Sequence, residues 1–375
     1  MNQNKIQMNP NINNRNRVLA IDLARGISVL FVVVVHTLWM YGNPYTQSST
    51  WLGTSIHFIG KGTPMFLIAM GFSFCLSKRQ STRAIIRRAL GLLGFGYGMN
   101  LFKFVVPYFL GILPTEFIAA YGWTTPLEFG QLTYLLLTGD ILQLAGISLL
   151  LLVGVQKLGN NKFIPLAIGL LLLIITPFVR GIRLDIIGVD YCLDLLWGGE
   201  WNVYFAVFPW FFFILAGMFF GRWFKEKNNH QTFIFRQMLL YGLLFLLIGG
   251  GLVYSNFSYH FNDYFHLGPG GAIYLLGFNL VLLFIVNKIA GYFAPNVFFN
   301  FLIYSSQRVT LLYVFQWVII CFGMGILGYQ QHGVGVVLVL IPIITIFTYF
   351  IHFYYEKMHK VSFRKKKKTL GISVR

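Results

Sequence analysis

The chain has 375 residues, of which 57% are hydrophobic and only 11% are charged. Because about a quarter of the residues in a soluble domain are charged, this composition excludes an ordinary soluble protein and indicates a polytopic membrane protein. The formal net charge of +18 does not indicate a nucleic-acid-binding protein, because the basic residues occur in short runs between apolar segments.

The chain begins with a polar, asparagine-rich segment, and we predict that residues 1–16 form a disordered tail. The apolar segment that follows, 17–41, is long enough to cross a bilayer and too long for the apolar core of a signal peptide. It nevertheless contains Asp22, Arg25 and His36. Because a charged side chain at membrane depth costs about 2.5–3.5 kcal/mol, we expect these residues to face a polar interior or a functional site.

The spacing of Arg25 and His36 places both residues on one face of this first helix. Their separation of eleven residues corresponds to about three turns, or about 16 Å along the helix axis. Asp22 lies one turn before Arg25, where the two side chains can pair. One stripe of the helix is therefore predicted to be polar at both of its ends.

The apolar segments predict an all-α fold, a polytopic transmembrane helix bundle with about ten spans. Their approximate limits are 18–41, 52–76, 89–112, 131–155, 163–179, 202–224, 237–254, 270–290, 297–323 and 334–354. We assign residues 17–356 to this transmembrane domain and residues 357–375 to a basic cytoplasmic tail.

The connections between the predicted spans alternate in charge. Basic residues are concentrated in 77–88, 156–162, 222–236 and the tail at 365–368. The other connections are neutral or acidic, namely 42–51, 113–130, 180–201 and 255–269. Because short basic connections stay in the cytoplasm, we predict an even number of spans, both termini in the cytoplasm, and a location in the cytoplasmic membrane.

Four further polar residues lie within predicted spans and can share a cavity with His36. His57 and Lys61 belong to the second span, where GKGTPMF contains glycines and a proline that weaken a helix and expose backbone groups. Asp140 and Gln143 belong to the fourth span, in GDILQ. Because the second and fourth spans are both predicted to run inward, these side chains are predicted to converge with His36 in the outer half of the bundle.

This set of side chains can support acyl transfer. His36 in its neutral form can act as a general base toward a hydroxyl or an amine, and His57 is a candidate second base. Asp140 can orient the histidine, while Lys61 and Gln143 can hold a developing oxyanion. The sequence contains no GxSxG, HExxH or Walker motif and no cysteine–histidine spacing for a metal, so no metal site is expected.

Structural roles for these residues are left open. Either histidine can be an interfacial side chain without chemistry, and Lys61 and Asp140 can form an ion pair between the second and fourth spans. Lys103, in the third span, and Arg308, in the ninth, are further charged residues at membrane depth. Arg308 can bind helix ends and have no other role.

Five segments resemble the integral-membrane acyltransferases. They are RVLAIDLARGISVLFVVVVH at 17–36, GTPMFLIAMGFSFCLSKR at 62–79, GDILQLAGISLLLL at 139–152, FPWFFFILAGMFFGR at 208–222 and SSQRVTLLYVFQW at 305–317. The first is the most specific, with an arginine, ten residues and a histidine, and it is similar to acyltransferase family three and to the heparan-α-glucosaminide N-acetyltransferase type. The last departs from the resemblance, since members often carry histidine where this chain has Gln316.

The resemblance implies an acyltransferase that takes an acyl group, usually acetyl, from acetyl-CoA or another acyl-CoA on the cytoplasmic side. The acceptor would be a hydroxyl or an amine of an extracytoplasmic glycan, as in polysaccharide modification at the cell envelope. The CoA phosphates would favour the basic inner face, where Arg25, Arg83, Arg87 and Arg88 are candidates, with Arg308 as a further donor-binding candidate. The expected partners are membrane lipid, the acyl-CoA substrate and the glycan, without nucleic acid, and a homodimer is left open.

Two other functions fit the same sequence. A transporter or flippase would use the buried charged residues as a substrate or proton pathway, and a sensor or an assembly subunit would have no chemistry. A cavity open at both faces, with His36 at its narrow point, would favour an enzyme. Packed apolar side chains around His36 would favour a structural subunit.

Overall fold

The computed structural model describes residues 17–78, 80–186, 188–294 and 296–369, with side chains as far as residue 359. The predicted tail at 1–16 lies outside the described residues. Within these ranges the predicted all-α class is confirmed, because every regular element is a helix. The extended pairings among the described residues are two isolated bridges, Gly42 with His332 and Gly139 with Val203.

Eighteen α-helices and one π-helical turn follow one another along the described chain. They are α1 (Leu19–Tyr41), α2 (Pro44–Ser48), α3 (Trp51–Gly60), α4 (Thr63–Leu76), α5 (Thr82–Asn100), the π turn (Leu101–Val105), α6 (Val106–Phe109), α7 (Thr115–Ala119), α8 (Phe129–Leu137), α9 (Ile141–Lys157), α10 (Phe163–Val179), α11 (Val189–Trp197), α12 (Val207–Glu226), α13 (Gln231–Ser255), α14 (Phe257–His260), α15 (Pro269–Tyr292), α16 (Val297–Gln307), α17 (Val309–Leu327) and α18 (Val334–Thr369). The last helix includes part of the predicted tail at 357–375, and residues 370–375 lie outside the described ranges.

Eight helical segments of the described chain are long and apolar enough to cross a membrane, which identifies a multi-pass membrane protein. They are Leu19–Tyr41, Trp51–Leu76, Thr82–Phe109, Val207–Glu226, Gln231–Ser255, Pro269–Tyr292, Val309–Leu327 and Val334–His359. Two shorter apolar helices, α9 and α10, lie where the fourth and fifth spans are predicted. The total of ten spans stays a prediction, and so does the cytoplasmic location of the termini.

The fourth span, predicted over 131–155, is not one continuous helix. Residues 138–140 separate α8 from α9. The side-chain amide of Asn100 donates to the carbonyls of Leu136 (3.0 Å) and Thr138 (2.7 Å), and backbone pairing with the segment before α12 holds the same break. Hydropathy does not report this interruption, because contacts with distant parts of the chain create it.

The ninth span, predicted over 297–323, is also divided. α16 ends at Gln307 and α17 begins at Val309, with Arg308 in a non-helical conformation between them. The guanidinium of Arg308 binds Glu356 of α18 (2.6 Å). This arginine therefore lies at a helix junction, partly exposed, instead of being buried within one long span.

Three of the four basic connections lie together on one face of the bundle. Gln80, Gln156 and Arg222, one from each of three basic connections, line a common cavity of about 370 Å³. Elsewhere, Arg180 donates to the backbone carbonyl of His266 (2.8 Å) and so joins two of the neutral or acidic connections. The two sides are called the basic face and the opposite face below.

The start of α1 is tied to α16 by a carboxylate. Asp22 binds Arg17 (2.7 Å) and accepts a hydrogen bond from the hydroxyl of Ser306 (3.2 Å). The predicted pairing of Asp22 with Arg25 is corrected, because Arg17 and Ser306 occupy the carboxylate. Arg25 is thereby left available to the interior of the bundle.

Helices α4 and α12 approach each other closely through two glycines. A Cβ atom on Gly71 would lie 1.9 Å from the carbonyl oxygen of Ile214, and a Cβ atom on Gly217 would lie 2.0 Å from that of Ile68. Small residues allow this kind of close backbone contact between membrane helices. The contact fixes α4, one wall of the cavity described below, against the buried helix α12.

Replacing Gly71 by Ala should destabilise the protein by about 1–3 kcal/mol, because the added methyl group would force the two backbones apart. The matched control is Gly91→Ala in α5, where nothing lies within 4 Å of the added Cβ atom. That substitution should be neutral or stabilising, since alanine favours a helix over glycine. Thermal unfolding of the purified variants in detergent measures the difference, and equal unfolding midpoints would contradict the close contact.

Candidate active site

A cavity of about 1020 Å³ lies between the helices of the bundle. Arg25 and Arg88 line it toward the basic face, and His57 and Asp263 line it toward the opposite face. Along α1 the lining extends from Arg25 to Met40, a length of about 22 Å. A space of this length can hold an extended ligand across much of the bundle.

His36 lines this cavity between its two ends. Its Nδ1 lies 3.2 Å from Oε1 and 2.9 Å from Nε2 of Gln316, within hydrogen-bond distance of the amide. The imidazole stacks on the indole of Trp317 (3.8 Å between ring centroids) and meets the ring of Tyr313 edge-on (5.8 Å). Nε2 has no hydrogen-bond partner among the described residues. The ring is thus held through Nδ1 and by stacking, while Nε2 is left for a ligand.

Gln316 is the residue that orients His36. The sequence had led us to expect Asp140 in this role. One carboxylate oxygen of Asp140 accepts a hydrogen bond from the hydroxyl of Tyr313 (2.9 Å), and the other lies 3.7 Å from the ammonium of Lys103. Asp140 therefore contacts Tyr313 and Lys103, which line the same cavity as His36, and does not contact His36 itself. The prediction of a direct carboxylate–imidazole contact is corrected for this reason.

Lys103 lies in the π turn Leu101–Val105. Pro107 has no N–H group, so the carbonyl of Lys103 lacks the donor that a regular α-helix would supply. The N–H of Val106 bonds instead to the carbonyl of Leu101, five residues back. Such π turns often occur at functional sites. Here the side chain of Lys103 is only 2% exposed, lines the cavity, and lies 4.1 Å from a ring centroid of Trp317.

Asp140 is fixed as the N-cap residue of α9. Its Oδ1 accepts from the backbone N–H of Ile141 (2.7 Å), and its own N–H donates to Oε1 of Gln143 (3.1 Å). The amide of Gln143 also donates to the carbonyl of Thr138 (3.3 Å). Gln143 is fully buried and is absent from the described lining of the cavity. Its predicted contact with an oxyanion is corrected: it positions Asp140.

Lys61 and His57 line the cavity toward the opposite face. The ammonium of Lys61 lies 5.5 Å from the ring centroid of Phe261, near the end of the cavity. The ion pair left open between Lys61 and Asp140 is not formed among the described residues, because the cation beside that carboxylate is Lys103. His57 is exposed and can contact a ligand entering from this side.

Arg25 and Arg88 form the cationic end of the cavity. The Nε atom of Arg25 is buried without a hydrogen-bond partner in the described part of the chain. Because an unpaired buried donor costs free energy, this group favours an anionic ligand. Arg83 and Arg87 are exposed on the same helix as Arg88 and, like Arg308, are absent from the described lining.

Aromatic side chains surround the cavity toward the opposite face. Trp39, Trp201, Tyr204 and Phe265 all line it, and the ring of Phe265 lies 5.8, 5.9 and 5.2 Å from those of Trp39, Trp201 and Tyr204. The loop that carries Phe265 is fixed where the indole N–H of Trp210 donates to its carbonyl (2.8 Å). This group of four residues is called the aromatic mouth below.

Asp263 adds a negative charge to the aromatic mouth. Its Oδ2 lies 2.6 Å from Nδ1 of His266, and its Oδ1 accepts from the backbone N–H of Phe265 (2.8 Å). Partial burial raises the pKa of this carboxyl group, but the hydrogen bonds and the charge of His266 together lower the pKa below its ordinary value. The carboxylate is therefore ionised at neutral pH.

Sequence reasoning gave no role to three residues of this centre, Lys103, Tyr313 and Trp317. A signal was present in α17, because Tyr313, Gln316 and Trp317 follow the i, i+3, i+4 spacing of one helix face. Lys103 was visible as a charge within an apolar span, but its partner Asp140 could not be read from the spacing.

The family model described as "Heparan-alpha-glucosaminide N-acetyltransferase, catalytic" matches residues 17–251, more than half of the chain. The matched region includes Arg25, His36 and Asp140, and it ends before α17, which carries Gln316. A search of curated proteins finds no match. The resemblance to acyltransferase family three stays an expectation.

Replacing Asp140 by Asn should destabilise the protein by about 3–5 kcal/mol, because the ammonium of Lys103 would be left buried without its counter-charge. The matched control is Glu116→Gln, which removes an exposed carboxylate and should change the free energy of unfolding by less than about 0.5 kcal/mol. Thermal unfolding in detergent compares the two. Equal stability would show that Lys103 does not depend on Asp140.

Proposed function

This chain belongs to the heparan-alpha-glucosaminide N-acetyltransferase catalytic family, and we propose that it is a membrane-embedded acyltransferase. It transfers an acyl group, acetyl in the first instance, from a cytoplasmic acyl-CoA to a hydroxyl or an amine of an extracytoplasmic glycan. The acyl-CoA is a substrate and not a permanently bound cofactor. The site of action is the cytoplasmic membrane.

The observation that carries this proposal is the arrangement of groups along the cavity. Two arginines line one end, His36 lines the middle, and the aromatic mouth lines the other end. A donor with anionic phosphates at one end and a thioester at the other matches the two arginines and His36. A polar acceptor with apolar ring faces matches the aromatic mouth.

The donor is proposed to enter from the basic face. Its phosphates would bind Arg25 and Arg88 through charge-assisted hydrogen bonds. Arg25 and His36 are about 16 Å apart along the helix, a distance that the extended pantetheine arm can span. Arg83 and Arg87, exposed outside the cavity, extend the positive potential toward the cytoplasm and attract the donor.

His36 is proposed as the general base. Its Nε2 would take the proton from the acceptor as the acceptor nitrogen or oxygen attacks the thioester carbonyl carbon. When Nδ1 donates to the amide oxygen of Gln316, Nε2 carries the free lone pair that this step requires. The stack on Trp317 then keeps that nitrogen directed at the ligand.

The acceptor is proposed to bind at the aromatic mouth. Aromatic rings can pack against the apolar faces of a sugar, while a few polar groups fix its orientation. Asp263 can accept a hydrogen bond from a hydroxyl or bind a cationic amine. Lys61 and His57, on the same side of the cavity, can contact the remaining polar groups of the glycan.

Of the two other functions that fit the sequence, the structural subunit is disfavoured and the transporter or flippase is kept. A structural subunit predicts packed apolar side chains around His36, whereas His36 lines a cavity. A transporter or flippase is the second candidate, since the lining reaches from the basic face toward the opposite face. An acyltransferase releases free CoA from acetyl-CoA in detergent, where no compartments exist, and a transporter does not.

Replacing His36 by Ala should lower turnover about 10²–10⁴-fold, the range expected for a lost general base. Affinity for acetyl-CoA should be retained, because Arg25 and Arg88 are unchanged. Thiol release with a panel of glycan acceptors measures turnover, and calorimetry measures donor affinity on the same sample. His230→Ala, at an exposed histidine, is the control and should keep full turnover. If His36→Ala stays within about tenfold of wild type, the role of base passes to His57.

Replacing Arg88 by Gln should weaken acetyl-CoA binding about ten- to a hundredfold, because a charge-assisted contact with phosphate is lost. The affinity for acetyl-CoA should also depend less on salt concentration than in the wild type, because the variant has lost one exposed positive charge that salt would screen. The control is Arg236→Gln, which removes an exposed arginine outside the described lining. Unchanged donor affinity in Arg88→Gln and in Arg25→Gln would contradict the proposed phosphate site.

A further inference from the structure

Lys103 is a buried cation with unused hydrogen-bond donors. Its side chain is 2% exposed and lines the cavity, and its Nζ lies 3.7 Å from the nearest carboxylate oxygen of Asp140, beyond hydrogen-bond distance. An ammonium group has three N–H donors, and no described residue accepts a hydrogen bond from it. Because donors buried without acceptors cost free energy, a ligand in the cavity is expected to supply an acceptor here.

Lys103 and His36 both contact the indole of Trp317. The imidazole ring lies 3.8 Å and the ammonium 4.1 Å from ring centroids of the same indole. A cation–π contact stabilises the charge without a lone pair to saturate its N–H groups. The donors of Lys103 therefore stay free for a ligand in the cavity that Lys103 and His36 both line.

We propose that Lys103 binds the carbonyl oxygen of the acyl thioester and stabilises the negative charge that develops there during transfer. This inference rests on the proposed acyltransferase function. It makes Lys103 a catalytic residue and gives it the role that the sequence analysis had assigned to Lys61 and Gln143. Asp140 and the hydroxyl of Tyr313 then act as positioning groups that hold the ammonium in place.

In the proposed step, a C–N or C–O bond forms at the carbonyl carbon, and the electron pair of the C=O bond moves to the oxygen. Lys103 donates a hydrogen bond to that oxygen and keeps its proton. When the C–S bond breaks, the electron pair returns to the carbonyl, and the leaving thiolate takes the proton that His36 removed from the acceptor. A fixed cation beside the carbonyl oxygen favours the charged intermediate.

A purely structural role for Lys103 would be to neutralise Asp140. The two roles differ when both charges are removed together. Neutralisation is then no longer needed, so a structural role predicts that the double variant recovers activity. The catalytic role predicts that it does not, because the donor to the carbonyl oxygen is still missing.

The experiment compares Lys103→Met, Lys103→Arg and the double variant Lys103→Met/Asp140→Asn. Lys103→Met should lower kcat about 10²–10³-fold with little change in acetyl-CoA affinity, as expected for a lost oxyanion donor. The double variant should recover thermal stability but not kcat. Lys103→Arg should recover part of kcat, because a guanidinium also donates. The control is Lys288→Met, an exposed lysine near Phe284 and outside the described lining, which should keep full turnover.

Turnover of the double variant near the wild-type value would overturn the proposal and leave Lys103 as a counter-charge only. If Lys103→Met does not fold, the double variant carries the test, because it leaves no unpaired buried charge. A wild-type protein that neither transfers the acyl group nor releases CoA would overturn the proposed function itself. An active wild type with an active double variant would contradict only the role of Lys103.

Discussion

The interior of this bundle depends on the buried pair of Lys103 and Asp140. Opposite charges in a membrane interior attract each other strongly, but both have lost their water, so the pair persists only where further contacts hold it. The π turn before Pro107 presents the lysine, and the start of α9 together with the hydroxyl of Tyr313 holds the carboxylate. Two irregularities in otherwise apolar helices thus create a polar centre beside His36.

The polar centre divides the cavity into parts with different chemistry. Toward the basic face the lining offers arginines for an anion, and toward the opposite face it offers aromatic rings and the carboxylate of Asp263. His36 lies between them, held by Gln316 and Trp317 so that one ring nitrogen stays unoccupied. The arginines and His36 are therefore separated along α1, as the proposed transfer from a long donor to an acceptor entering from the other side requires.

The centre combines residues from the family match with residues beyond it. His36 and Asp140 lie within the matched residues 17–251, whereas Gln316 and Trp317 belong to α17. The loop that carries Phe265 also follows the matched region. Helix α17, which orients the proposed base, and the loop that carries Phe265 thus lie outside the residues that the family model matches.

Composition and helical periodicity by themselves determined the membrane class, the polar stripe of α1 and the shared face of Arg25 and His36, because these are local properties of consecutive residues. Only the tertiary structure decided that Lys103 partners Asp140, that Gln316 orients His36, and that Gln143 caps a helix. Hydropathy places a residue at a depth but not beside a particular neighbour. The contacts that break α8 from α9 join residues 36 to 64 positions apart, and those that tie α17 to the centre join residues 173 and 280 positions apart, so packing of the whole bundle fixes them.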